Sequence, residues 1–133
     1  MNDKVMLDAS VLIAAASRGD THQSTARRII RAGATRGALA AHPVTIAESA
    51  VGAARAGRLE ALRSIYEQWG LEAITTDDGG PWRAAALRAD LGLGLPDAFV
   101  LDAAIQHGAR LATFDQRLAA AAVASGIQLD IGT

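Results

Sequence analysis

The stretch Val5-Met6-Leu7-Asp8-Ala9-Ser10-Val11-Leu12-Ile13 places one acid inside an otherwise apolar run. Val5, Met6 and Leu7 read as a short buried strand, and Ser10 can cap a helix that begins with Val11. Asp8 then falls at the carboxyl end of a first strand, on the turn into a helix. In open α/β sheets that edge is where ligands bind. A charge beside a core strand is costly unless something pairs with it.

Outward from this stretch, short apolar runs alternate with helical patterns. Helices are expected at 11 to 17, 22 to 32, 44 to 56, 58 to 69, 82 to 91, 97 to 107 and 116 to 124. Strands are expected at 38 to 41, 71 to 75, 110 to 114 and 127 to 130. Ala26, Ile29 and Ile30 form an apolar stripe on the second helix, and Pro43 sits where the third can start. Alternation of this kind implies a parallel sheet with helices on both faces. No linker, repeat or low-complexity segment interrupts it, so residues 1–133 read as a single domain.

Composition narrows the chemistry. The 133 residues suit one domain with a sizeable core. Half are hydrophobic but only 4% aromatic, so Ala, Leu, Val and Ile must build that core. With no Cys there is neither a disulfide framework nor a thiolate metal site. Apolar runs are too short to span a bilayer, and Met1-Asn2-Asp3-Lys4 lacks a signal-peptide pattern. The expectation is a soluble cytoplasmic protein.

The net charge of -1 hides an asymmetry. Residues 1 to 66 carry nine Lys and Arg against five acids, and residues 67 to 133 carry four against nine. Arg27, Arg28, Arg31, Arg36, Arg55, Arg58 and Arg63 read either as solvated helix faces or as a basic rim that draws phosphates toward an acidic site.

Four acids stand out. Asp8 closes the first strand. Asp115 follows the strand that ends Thr113-Phe114, and two such strands can be neighbours in a doubly wound sheet. Asp97 opens a helix after Pro96, where an acid also complements the helix dipole. Asp102 competes with it, but lies about 7 Å further along the axis and reads as a salt-bridge or surface acid. Glu48 borders Val44 and Val51 inside the third helix, and alone it reads as a surface acid. Together on one edge, such carboxylates repel and raise one another's pKa. A divalent cation offsets that, and an oxygen-only donor set favours Mg²⁺ or Mn²⁺.

The segments Met6-Leu7-Asp8-Ala9-Ser10-Val11-Leu12-Ile13, Thr45-Ile46-Ala47-Glu48, Leu95-Pro96-Asp97-Ala98-Phe99-Val100 and Leu111-Ala112-Thr113-Phe114-Asp115 resemble the PIN domain. They resemble most closely the VapC-type ribonuclease toxins of toxin–antitoxin pairs. The resemblance implies an α/β three-layer sandwich, its five-stranded parallel sheet in the order 3-2-1-4-5 flanked by helices. It implies Asp8, Glu48, Asp97 and Asp115 as the catalytic, metal-holding quartet. Ser10 and Thr113 look like the supporting hydroxyls. Asp102 stands where the family usually has a small or apolar residue.

The expected activity is endoribonuclease cleavage dependent on Mg²⁺ or Mn²⁺, leaving a 5′ phosphate and a 3′ hydroxyl. The resemblance further implies a homodimer and a VapB-type antitoxin that fills a groove lined by Leu59, Leu62, Ile65 and Tyr66. Rival readings are a non-catalytic interaction module of the same fold and another Mg-dependent phosphoryl hydrolase. A haloacid-dehalogenase-like phosphatase needs an acid where Ser10 stands, and a receiver needs a Lys after a late strand. His22, His42 and His107 read as surface or capping residues, and Trp69 and Trp82 as core or interface.

Overall fold

The computed structural model describes residues 3–133; the reading of Met1 and Asn2 lies outside the described residues. The first strand, β1 (Val5–Leu7), has all three side chains fully buried. Val5 and Leu7 point into one apolar cluster and Met6 into the other. A strand covered on both faces must be apolar throughout, which is why this run does not alternate.

Helices α1 (Ala9–Ala16) and α2 (Gln23–Thr35) follow, then β2 (Leu39–Ala41), α3 (Pro43–Arg55), α4 (Leu59–Gln68) and β3 (Glu72–Ala73). The chain continues through α5 (Gly80–Leu91), α6 (Leu95–His107), β4 (Arg110–Ala112) and α7 (Gln116–Ala124). The strands pair in parallel in the order β3-β2-β1-β4. Helices α1, α2 and α4 bury one face with Val11, Leu12, Ile29, Ile30 and Tyr66. Helices α5, α6 and α7 bury the other with Ala84, Val100, Leu101 and Leu118. Three layers result, in the order expected for the first four strands.

The fifth strand shrinks to one bridge, Leu111 with Leu129. Its cause lies in β4. The amide of Arg110 and the carbonyl of Ala112 are spent toward β1, bonding the Lys4 carbonyl and the Asp8 amide. Leu111 alone faces outward, donating to the Gln128 carbonyl and accepting from the Asp130 amide. A three-residue strand offers that edge only one residue's worth of pairing. Strand β3 is likewise shorter than the 71 to 75 expected.

Two further features set the packing of helices on the sheet. Gly33 lets α2 approach β2, because a Cβ there would stand 2.3 Å from Leu39 Cδ2. Helix α1 begins at Ala9, two residues before the expected start, so extended Asp8 occupies the N-cap position rather than Ser10. Among the described residues, no helix is long and apolar enough to cross a membrane.

Candidate active site

Asp8 is only 4% exposed, yet its side chain does not cap α1. Its Oδ2 instead accepts hydrogen bonds from Ser10 Oγ and Thr113 Oγ1, each at 2.8 Å. Both hydroxyls are themselves engaged as acceptors. Ser10 Oγ receives the Phe114 amide at 3.0 Å, and Thr113 Oγ1 receives the Asp115 amide at 3.0 Å. While each oxygen accepts one amide, the two O–H groups donate to Asp8. Ser10 is therefore not a helix cap; it links the end of β1 to the segment after β4.

Asp8 Oδ1 receives no donor from the described residues. This oxygen is not fully buried. A carboxylate pinned through one oxygen and open at the other is oriented for a ligand.

Asp97 lies in the first turn of α6, half-buried. Its carboxyl is pushed up to about 6, first by burial and then by the negative charges of Asp8, Asp115 and Glu48. Carboxyls from four separate segments thus act on one another at one edge of the sheet. Glu48 stands on the exposed side of α3, and partial burial and the charge of Asp8 raise its pKa too. Asp115 is exposed and caps α7, its Oδ1 accepting from the Leu118 amide at 2.9 Å. It is a cap and a member of the acidic edge at once.

Asp102 belongs elsewhere. It is 2% exposed inside α6 and paired with Arg83, whose Nε and Nη2 reach its two oxygens at 2.7 and 3.3 Å. Thr76 Oγ1 adds a longer contact at 3.4 Å. It is a salt-bridge acid, as expected, but buried between α5 and α6 rather than on the surface.

No ion pair within the described residues reaches Asp8, Glu48, Asp97 or Asp115. The repulsion that raises Asp97 is left uncompensated by the protein. An oxygen-only set of mutually repelling carboxylates suits a hard divalent cation in its donor chemistry. As they stand, no three His, Asp or Glu side chains among the described residues close around one ion. Asp8, Asp97 and Asp115, with Glu48 beside them, are the carboxylates gathered at this edge.

The basic half of the chain is distributed differently from a rim around the acids. Arg28, Arg31 and Arg36 gather with Arg110 around a cavity of about 330 Å³ at the amino ends of the strands, the opposite edge. Arg27 donates to the Ala15 carbonyl. Arg58 alone of the basic groups shares a groove with Glu48. That groove, of about 510 Å³, runs between α1, α3 and α4 and is walled by Ile13, Ala53, Leu62 and Ile65. Leu59 and Ile65 are exposed, but Leu59 lines a separate cavity with Leu62 and Leu71 rather than this groove, and Tyr66 is buried and bonded to Ser49.

His42 caps α3 through Nδ1, which accepts from the Val44 amide at 3.0 Å. His107 Nε2 contacts the Thr75 carbonyl. Trp69 packs against Tyr66 and the core, but Trp82 is 80% exposed and contributes nothing to the core. His22 is not merely a surface residue. Its ring stacks on Phe114 at 4.3 Å and 10°, beside the acidic edge. Sequence reasoning missed this pair, because nothing local connects residue 22 with residue 114.

A family model for the PIN domain matches residues 5–124. Among solved structures, a toxin–antitoxin complex from Klebsiella pneumoniae superposes with a TM-score of 0.67 at 24% identity, covering 84% of this chain and 87% of that one. VapBC2 from Rickettsia felis, bound to a DNA fragment from its promoter, superposes at 0.70 with 19% identity, covering 95% and 96%. A protein from Pyrobaculum aerophilum superposes at 0.62 with 23% identity, covering 91% and 87%. At these identities the likeness is one of fold. No functionally curated protein matches the chain.

Proposed function

Because the chain belongs to the PIN domain family, we propose that it is a metal-dependent endoribonuclease and the toxin of a VapBC-type toxin–antitoxin pair. The observation that carries this reading is the Asp97 carboxyl, raised to about 6 by burial and by the charges of Asp8, Asp115 and Glu48. A fold that needed these acids only for stability would place cations among them. Perturbed carboxyls gathered at the carboxyl edge of a parallel sheet are the mark of a working site.

Asp8, Asp97 and Asp115, with Glu48 beside them, would hold Mg²⁺ or Mn²⁺. The cation supplies positive charge against the phosphodiester and the attacking water. The chain's own groups set the geometry. Ser10 and Thr113 fix the Asp8 carboxylate through Oδ2 and leave Oδ1 for the site. Without metal, the Asp97 carboxyl is pushed up to about 6, so the full negative charge of the cluster develops only toward neutrality, and a bound cation would favour the ionised form. In the overall reaction, water adds to phosphorus and the bond to the 3′ oxygen breaks. That oxygen takes a proton, leaving a 5′ phosphate and a 3′ hydroxyl. Mapping the ends of cleaved RNA with and without Mn²⁺ tests this reading. A metal-independent cut, or no cut of any RNA, overturns it.

The same reading includes a VapB-type antitoxin and a second copy of the chain. The apolar groove between α1, α3 and α4, with Glu48 in its wall, supports an amphipathic segment that carries a basic side chain toward the acids. Such a cation would take the place of the metal's charge, so partner and metal should compete. Partner affinity should therefore fall as Mn²⁺ is added, and an affinity indifferent to Mn²⁺ would leave only steric cover of the RNA path. Sedimentation of the free chain tests the homodimer.

A further inference from the structure

His22 and Phe114 form a parallel ring stack, with centroids 4.3 Å apart and an interplanar angle of 10°. The two rings are held very differently. Phe114 is half-buried against the cluster that contains α1 and α2, and its amide is tied to Ser10 Oγ at 3.0 Å. Ser10 is in turn bonded to Asp8, so the Phe114 backbone is tied to the acid. His22 lies on the exposed side. It occupies the N-cap position of α2 without a cap bond from its side chain. Its backbone N–H donates a hydrogen bond to Asp20 Oδ1 at 2.7 Å. Among the described residues the imidazole has one partner, Phe114. Its backbone is anchored, one ring face rests on Phe114, and the residue as a whole is exposed to solvent.

We propose that this pair is a nucleobase subsite: a base of the RNA, next to the scissile phosphate, stacks on the face of His22 opposite Phe114 and extends the His22–Phe114 stack. Location is the first argument. Phe114 lies in sequence between Thr113, which donates to Asp8, and Asp115, a member of the acidic edge, so a base stacked there brings its own phosphate to the acids. Ring geometry is the second, since parallel, offset overlap is what a base offers and accepts. Charge is the third. The arginines Arg28, Arg31 and Arg36 gather at the far edge of the sheet and do not reach this one. Arg58 shares a groove with Glu48, so stacking adds a grip beside the acids to what that single cation supplies. The subsite reads the flat face of a base, so it holds single-stranded RNA without strong preference among the four bases.

The inference rests on the nuclease reading, and its test separates the two. The probe is a short single-stranded RNA whose cut site has been mapped with the Mn²⁺-loaded protein. Companion RNAs each carry an abasic nucleotide on one side of the cut. His22→Ala should lower kcat/KM on the intact RNA about ten-fold, and His22→Phe should restore most of it. Mn²⁺ binding without RNA should be unchanged in both, and both should still melt cooperatively, His22→Ala at a slightly lower temperature because it removes the ring pair. One abasic substitution should cost the parent about ten-fold and cost His22→Ala nothing further, because the removed base and the removed ring are partners. Cleavage by His22→Ala at the parent rate overturns the subsite and leaves the nuclease reading standing. So does an abasic penalty equal in parent and variant. Failure of the parent to cut any RNA with Mn²⁺ present overturns the nuclease reading, and the subsite falls with it.

Discussion

Thr113 Oγ1 donates to Asp8 Oδ2 at 2.8 Å across 105 residues of chain. The bond exists because β1 and β4 are parallel neighbours in register, Leu7 beside Ala112, so the residues just past the two strand ends meet. It ties the orientation of the most buried acid of the edge to the adjacent strand.

Removing that hydroxyl should be felt at the site more than in the fold. Thr113→Val leaves Asp8 with one donor and the Asp115 amide without its acceptor. RNA cleavage should fall about 10- to 100-fold, with a stability loss of about 1–3 kcal/mol. Thr113→Ser, which keeps the hydroxyl, should stay near the parent in both. Cleavage rates and thermal melts of the three proteins check this, and a valine variant at parent rate would count against the Asp8 assignment.

Asp97 sets a pH dependence. Its ordinary value of 3.8 rises to about 6 on folding, so the folded state favours the neutral form. That preference stabilises the metal-free protein fully below 3.8 and is lost as pH rises through about 6. Metal-free protein should therefore lose on the order of 1 kcal/mol over this window, a figure reduced by solvent screening of a half-exposed group. Asp97→Asn should flatten that limb, and Mn²⁺ should stabilise the parent most above about pH 6. Denaturant melts in EDTA and in Mn²⁺ across this range are the measurement; a limb that survives in Asp97→Asn assigns the titration to another group.

Asp97 and Asp102 should separate activity from stability. Asp97→Ala is expected to abolish cleavage while the protein still melts cooperatively. Asp102→Ala should lower the melting temperature clearly, because it leaves Arg83 without its buried partner, and should spare the activity of the protein that stays folded. Arg83→Met should also destabilise, since Asp102 would then be a buried charge without a counter-ion. Activity normalised to folded protein, measured beside melts, distinguishes the two acids. Loss of activity at full stability in Asp102→Ala would reverse their roles.

The sequence carries the acidic edge more openly than it carries the groups that support it. Asp8 is legible because an acid ends an apolar run, and a strand buried on both faces has no polar positions to hide it among. Asp102 is separable from Asp97 by helical rise alone. The Ser10 hydroxyl is legible as a supporting group only through the family resemblance, since choosing between a helix start at Ala9 and at Val11 takes more than periodicity, and its partner Phe114 meets it only through β4. Residues 127 to 130 have strand-like alternation, but the number of residues that can pair is set by the outward groups of β4, a property of the neighbour. The His22–Phe114 stack and the gathering of Arg28, Arg31 and Arg36 with Arg110 depend on how α2 lies across the sheet, which no local pattern states.

The central claim is that Asp8 anchors a metal-dependent phosphodiester-cleaving site. Parallel RNA cleavage by the parent and by Asp8→Asn, each in Mn²⁺ and in excess EDTA, tests it most directly. The parent is expected to cleave in a way that EDTA stops and Mn²⁺ restores. Asp8→Asn, still folded by its melt, is expected to be slower by at least about 100-fold. Cleavage by Asp8→Asn at the parent rate, or by the parent in excess EDTA, would contradict the claim.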